Sequence, residues 1–319
     1  MKKTLVAIAA MAAVTGVMAQ ATMYGVIDQA YTSSKVTAGT TTTKKTSVAG
    51  TLNGGSALGI TGSDDLGGGM KAYFQHEFGM ATDANDAVTN RYSYLGLSGG
   101  FGDVKIGKMY NFAFNNAIAN DPAGFSGTAG YAVNGAYGGG AASTSNMIAY
   151  TAPSFTPGLG IQVGKAMGEA STTAAAPTKT GDSTSWGVTY AAGALYAGVT
   201  GETVIKTAAI KTKHSTTTIT YDLGMVKVGF GSGKSTEGTD YDKASAVSIS
   251  VPVGAATFAY SSGDAKTKDG TAAEVTTKVS QYGVAYSLSK RTMGYLLQGK
   301  QSATASTTNI YAVGIKHSF

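Results

Sequence analysis

Residues 55–78 read GSALGITGSDDLGGGMKAYFQHEF. From Met70 to Phe78 the chain alternates without a break. Met70, Ala72, Phe74, His76 and Phe78 fall on one side, and Lys71, Tyr73, Gln75 and Glu77 on the other. Successive side chains of a strand point to opposite faces, so this strict period of 2 reads as a half-buried β-strand. Before it, Leu58 and Ile60 share a face, and the run Asp64 to Gly69 is turn chemistry. The stretch is a hairpin with one apolar and one polar face. A soluble sandwich would bury the apolar face. A closed membrane barrel would turn that face to lipid and keep the polar one in a water-filled lumen. Periodicity alone does not separate the two.

The pattern continues in both directions. Upstream, TMYGVIDQAYTS (22–33) puts Met23, Ile27 and Tyr31 on one face and Tyr24 and Asp28 on the other. Downstream, RYSYLGLSGGFGDVKIGKMY (91–110) is a second hairpin with a tight turn at 98–103. Further alternating segments follow to TNIYAVGIKHSF (308–319), for sixteen in all. Short turns are expected at 63–69, 98–103, 153–159, 191–194, 222–225, 252–254 and 289–292. Long polar loops are expected around 34–50, 79–88, 111–143, 170–183, 203–213, 232–243, 262–275 and 301–307, with the threonine-rich stretch 37–46 exposed. Short turns at one end and long loops at the other is the anatomy of an outer-membrane barrel. An even strand number lets the first strand pair antiparallel with the last, which removes both edges. Tyr92, Tyr94, Tyr150, Trp186, Tyr190, Tyr221, Tyr260 and Tyr286 lie near strand ends and suit interfacial girdles. The expected fold is all-β: a 16-stranded antiparallel transmembrane β-barrel.

One stretch breaks the pattern. Residues 111–143, NFAFNNAIANDPAGFSGTAGYAVNGAYGGGAAS, show no sustained period of 2 or 3.6 and carry a single charge, Asp121. A loop this long is functional or disordered. Tyr131, Tyr137, Phe112, Phe114 and Phe125 make it too aromatic for a typical disordered tract. It is expected to fold into the bore.

Bulk composition agrees. There are 45 glycines, 18 tyrosines and 5 prolines, and 13% of residues are charged, which is β-sheet chemistry. Lys2 and Lys3, the apolar run Leu5 to Ala13 and Val17-Met18-Ala19 read as a cleaved signal peptide over 1–19, leaving 20–319 as the barrel. Without Lys2 and Lys3 the chain has 22 basic against 18 acidic residues, a net of +4. The lysines are dispersed, so no nucleic-acid partner is expected. No cysteine is present, so backbone pairing and packing alone must hold an exported chain.

Sites of chemistry are sparse. Residues 229–235, GFGSGKS, miss the phosphate-loop spacing by one residue and no helix pattern follows. His76, His214 and His317 lie far apart in strand order, so neither a metal site nor a cofactor is expected. No serine, histidine and acid are brought together by the strand order, so no enzyme activity is expected. An arginine on a lipid face costs about 2–4 kcal/mol at mid-membrane, which directs Arg91 to the lumen or to the end of the barrel. Lys71, Glu77 and Lys105 share lumen parity. Lys108 shares parity with Ile106 and reaches the lumen only at a bulge or a strand end.

From these residues the chain resembles the Gram-negative general porins, most closely the sixteen-stranded trimeric type of neisserial and burkholderial bacteria. The resemblance rests on Met23 to Asp28, Gly62 to Gln75, Arg91 to Gly107, Asp121-Pro122-Ala123-Gly124, Asn146 to Phe155 and Val313 to Phe319, in that order. It implies a homotrimer in the outer membrane, in contact with its lipid and lipopolysaccharide. It also implies a third loop folded inward at mid-height and passive diffusion of small hydrophilic solutes and ions. Phe319 is the residue type that the barrel-assembly machinery of such proteins recognises. The resemblance further implies basic wall residues facing acids on the loop, with Arg91, Lys71, Lys105 and Lys108 on the wall, Glu77 beside them and Asp121 on the loop. The chain departs from the family at Ala57, Thr61, Ser143 and Ala149, where relatives usually carry basic residues. A modest, anion-leaning selectivity is the expectation. A second reading stays open: a substrate-selective channel or adhesin that recognises a ligand through its long loops, with Tyr131, Tyr137 and Phe125 as candidates.

Overall fold

The computed structural model describes residues 21–50, 55–80, 88–121, 142–168, 180–207 and 209–319. Residues 1–19, expected from the sequence to be a signal peptide, and most of 111–143 lie outside the described residues. The first elements are β1 (Thr22–Ala38), β2 (Thr41–Ala49), β3 (Ser56–Gly67), β4 (Met70–Met80), β5 (Thr89–Gly99) and β6 (Gly102–Tyr110). A short helix, α1 (Phe112–Ile118), follows. Then come β7 (Ser143–Thr151), β8 (Leu159–Ala166), β9 (Ser183–Ala192), β10 (Leu195–Ile205), β11 (Lys211–Asp222) and β12 (Lys227–Glu237). The chain ends with β13 (Asp240–Val253), β14 (Ala256–Lys268), β15 (Val275–Ser287), β16 (Thr292–Ser302) and β17 (Ser306–Ser318).

These 17 segments make one antiparallel sheet. β2 pairs with the upper half of β1, Ala30 to Ala38, and β3 with its lower half, Thr22 to Val26. The two share one position in the wall, which therefore has 16 strands, as expected. Closure runs from Val26↔Ser318 to Ala38↔Ser306. Below it, the Gly25 N–H donates to the Phe319 carbonyl (3.1 Å) and the Phe319 N–H to the Gly25 carbonyl (3.0 Å). The Phe319 ring covers Gly25 so closely that a Cβ there would lie 2.3 Å from it. No sheet edge remains at the seam, which a lipid environment requires.

Burial decides between sandwich and barrel. Leu95, Ile106, Val247, Phe258, Leu296 and Val313 are exposed, whereas Asp28, Thr216, Thr218 and Gln281 are buried. A soluble protein shows the opposite. The apolar faces point outward to lipid, and the polar faces point into the bore.

Many glycines sit opposite aromatic side chains. Tyr24 pairs with Gly59, Tyr73 with Gly96 and Tyr295 with Gly314. In each pair a Cβ on the glycine would stand 2.2–2.3 Å from the ring. The ring lies flat over the neighbouring strand and covers its backbone, a known means of pinning register.

Two expected loops are strands. Residues 34–50 and 232–243 extend the β1–β2 and β12–β13 hairpins and turn tightly, at Gly39 (φ 56°) and Gly238 (φ 61°). Threonine-rich runs are polar yet β-branched, so they pair well above the membrane. Glycine supplies the left-handed turn. Tyr92 and Tyr94 also depart from expectation. Their strand faces them inward, where they pack beside Met109, Phe112 and Met147. Trp186, Tyr190, Tyr221, Tyr260 and Tyr286 are exposed and suit an outer girdle.

Candidate pore constriction

The helix α1 carries the loop after β6 across the bore. Asn111 caps it, accepting the Phe114 N–H at 2.6 Å, as an N-cap asparagine does. Phe112, Ala113, Asn116 and Ala117 form its buried face, and Asn120 continues that face past the last turn. Phe112 docks with Met109, Met147, Ala149 and Ala166. Ala117 packs with Ala244, Ala246 and Val279.

Two asparagines fix the helix to the far wall. Asn116 Nδ2 donates to the Gly198 carbonyl (3.2 Å) and to Thr216 Oγ1 (2.9 Å), and its Oδ1 accepts from the Tyr196 hydroxyl (3.0 Å). Asn120 Nδ2 donates to the Ala246 carbonyl (3.2 Å), and its Oδ1 accepts from the Ser248 hydroxyl (2.6 Å). The wall leaves room for them. A Cβ at Gly198 would lie 2.0 Å from Asn116 Oδ1, and one at Gly229 2.1 Å from Asn120 Oδ1. Buried amides are tolerated only with their partners supplied, and here strands β10, β11 and β13 supply them.

The near wall holds the charges. Arg91 Nε lies 3.1 Å from Glu77 Oε1, and Arg91 also donates to the Tyr110 hydroxyl at 2.5 Å from Nη2. A register shift explains its inward position. Glu77 pairs with Tyr92 and Phe78 with Asn90, so Arg91 is the extra residue of a bulge. A bulge re-aims a side chain that strict alternation would send outward. Glu77 Oε2 accepts from the Tyr24 hydroxyl (2.8 Å), which in turn accepts from Gln75 Nε2 (2.6 Å). The Tyr94 hydroxyl donates to Gln75 Oε1 (2.6 Å), and that of Tyr73 to Asp103 (2.6 Å). Lys105 Nζ lies 5.4 Å from the centre of the Tyr94 ring.

Asp28 and Lys316 complete the set. They pair directly across the closing seam. Asp28 accepts from the Tyr295 hydroxyl at 2.7 Å. Lys316 lies within electrostatic reach of Asp28, Asp121 and Arg91.

Of the residues singled out from the sequence, Arg91 and Glu77 come together as a pair, and Asp121 and Arg91 each act electrostatically on Lys316. Lys105 lies on the same inner wall. Lys71 shares that face but pairs with Ser98 and Asp65, near the short turns and away from the cluster. Lys108 does not join it, which corrects its assignment to the pore lining. It pairs with Ser93, whose Oγ lies 2.9 Å from His76 Nδ1 on the outer face, and it shares that face with Ile106. The bulge opposite it falls on the β7 side and leaves its parity unchanged. Ala57 and Ala149 are buried, and Thr61 donates to the Phe74 carbonyl. Ser143 pairs with Tyr110 beside the loop. Where a basic residue was sought at 149, the small side chain instead receives Phe112. Tyr131, Tyr137 and Phe125 lie outside the described residues. Among the described residues no group of three or more histidines and carboxylates gathers into a metal site.

A closed 16-strand wall, a polar bore and a helix pinned inside it beside facing charges define a pore-forming outer-membrane barrel. The chain belongs to the Gram-negative porins, whose family model matches residues 4–306. It is similar to the major outer membrane protein P.IB of Neisseria meningitidis (strain H44/76), 38% identical over 65 residues, 20% of each chain. The match thus spans about a fifth of that relative. Outer membrane porin protein 32 of Delftia acidovorans is 29% identical over 166 residues, 49% of this chain and 47% of the relative. Among solved structures, an anion-selective porin from Comamonas acidovorans superposes with a TM-score of 0.77 at 24% identity, over 95% of this chain and all of that one.

Proposed function

We propose that this protein is a general-diffusion porin of the outer membrane, a passive channel for small hydrophilic solutes and ions. The observation that carries the reading is α1, pinned by Asn116 and Asn120 inside the ring and opposite the Arg91–Glu77 pair. Solutes cross a water-filled bore and are sorted by size at the loop and by charge along the wall. Selectivity is modest and leans to anions. Asp28, Glu77 and Asp103 each accept a tyrosine hydroxyl, and Glu77 also faces Arg91. Lys71 and Lys105 make no ion pair among the described residues. The anion-selective neighbour supports the same sign. Arg91, Glu77 and Asp121 are assigned to the constriction, and Lys71 and Lys105 to the lining. The working form is a homotrimer in contact with outer-membrane lipid and lipopolysaccharide. Phe319, closing the seam on Gly25, is the assembly signal.

A second reading has one observation in its favour. Tyr73, Tyr94, Tyr92, Tyr110 and Phe114 follow one another along the inner wall with ring centres 4.3–6.2 Å apart, a track on which a particular sugar or ring could slide. Liposome swelling separates the two. Uptake should fall smoothly with solute size across pentoses, hexoses and disaccharides, with no solute blocking the others. Saturation or block by one sugar would replace general diffusion with selective binding.

A further inference from the structure

A niche on the inner wall lies between the short turns and α1, apart from the Arg91–Glu77 pair. Lys105 stands at its centre, on the lumen face of β6, with Ile106 turned to lipid. In register it pairs with Gly96 on β5 and Ala149 on β7. Neither neighbour has a side chain long enough to cover the lysine stem. Gly107, the next lumen-facing residue up the strand, is also bare. Rings wall the hollow instead. The Tyr73 ring lies over Gly96, where a Cβ would be 2.3 Å from it. Tyr94 pairs with Gly107, and its ring centre is 5.4 Å from Lys105 Nζ. The two rings stand 6.2 Å apart at 84° to each other. Ala149 packs with Phe112 of α1, so the niche opens just below the helix.

The hydroxyls and amides of the niche already have partners within the wall. The Tyr73 hydroxyl donates to Asp103 (2.6 Å), that of Tyr94 to Gln75 Oε1 (2.6 Å), and Gln75 Nε2 to the Tyr24 hydroxyl (2.6 Å). Asp103, two residues from Lys105 on the same face, meets the Tyr73 hydroxyl with both oxygens. Lys105 makes no ion pair among the described residues. The other cation beside these rings, Arg91, is held by Glu77 and Tyr110. Tyr73, Tyr94 and Lys105 are each half-buried, so ring and ammonium are both reachable from the bore.

These features select a ligand. A small hydrated anion gains nothing from ring faces, whose quadrupole is negative. A sugar needs donors and acceptors, and the hydroxyls here are already bonded. A planar ring that carries a carboxylate matches both halves of the niche. Its positive edge suits a tyrosine face, and its carboxylate suits the Lys105 ammonium. We infer that the niche is a weak binding station for aromatic carboxylates. It slows planar acids just below α1 and leaves the bore open to neutral solutes. The inference rests on the open-pore reading above.

The test uses the full chain, refolded and inserted into planar bilayers. Benzoate, benzamide, cyclohexanecarboxylate and glucose are added in turn, and the block of single-channel current is titrated. Benzoate should block at the lowest concentration. Its advantage over cyclohexanecarboxylate should be about fivefold, from the ring face. Its advantage over benzamide should be about threefold, from the charge. Glucose should block least. Lys105→Gln should bring benzoate to the level of benzamide, and Tyr94→Leu to that of cyclohexanecarboxylate. Tyr94→Phe should retain the block, because the ring face and not the hydroxyl makes the contact. Wild-type block that is equal for benzoate and either analogue, or strongest for glucose, overturns the inference. So does a Lys105→Gln or Tyr94→Leu variant blocked like the wild type, or loss of the block in Tyr94→Phe. If the variants do not fold, the wild-type series decides alone. Saturation-transfer NMR on the refolded chain in detergent reads benzoate contact without current. An open pore that benzoate neither blocks nor contacts overturns this inference only. A silent barrel that contacts benzoate in preference to its analogues overturns the pore reading only.

Discussion

Glu77→Gln is expected to shift the reversal potential toward stronger anion preference, and Arg91→Ala to shift it the opposite way. The two side chains are 3.1 Å apart and largely shielded, with side-chain exposures of 28% for Arg91 and 10% for Glu77. Each now cancels most of the other's field in the bore. Glutamine keeps the size of Glu77 and can still bond the Tyr24 hydroxyl, but it removes the carboxylate charge that faces the guanidinium. A unit charge about 7 Å from a passing ion in water is worth roughly 0.6 kcal/mol, close to RT. The local anion population then rises about threefold and the cation population falls by a similar factor before salt screening. Arg91→Ala exposes the Glu77 charge instead and widens the bore, so cation preference and conductance should both rise. It should also lower stability, because Glu77 and Tyr110 lose a shared partner. Reversal potentials of both variants under one salt gradient check the pair. Unchanged values would place Arg91 away from the constriction.

Asn116→Ala with Asn120→Ala should release α1 from the far wall and raise single-channel conductance. The two amides make the five hydrogen bonds that join the helix to β10, β11 and β13. At about 1 kcal/mol each, roughly 5 kcal/mol of docking is at stake, part of which water recovers. The barrel wall closes without these bonds, so trimer yield should hold while the solute size limit rises. Gly198→Ala should act in the same direction, because its methyl group would occupy the place of Asn116 Oδ1. Liposome swelling with disaccharides reads the change. A size limit equal to the wild type would mean that the helix does not set it.

The barrel was legible because its signal is alternation repeated around the whole wall. Met70 to Phe78 alone gives the faces of β4, and the structure keeps that parity. The helix was not legible. Its buried positions, Phe112, Ala113, Asn116, Ala117 and Asn120, do follow helical spacing. The run is only two turns long, and its key contacts are amides, so a hydrophobic period could not reveal it. Arg91 was directed inward by cost, without the bulge that takes it there. Lys316 and Asp28 face each other across 288 positions of sequence, and only barrel closure joins them. Parity held the clue, since Val313 and Ile315 face lipid and Lys316 alternates with them. The long loops were overestimated because polarity was read as absence of strand, whereas Thr41 to Ala49 pairs as strand.

The most direct measurement is single-channel conductance and reversal potential of the refolded protein in a planar bilayer across a salt gradient. The account predicts conductance in triplet steps, open without any added ligand, with a small reversal potential of the sign for anions. Absence of conductance, or conductance abolished by one particular sugar, would contradict an open diffusion pore and turn attention to the aromatic track from Tyr73 to Phe114.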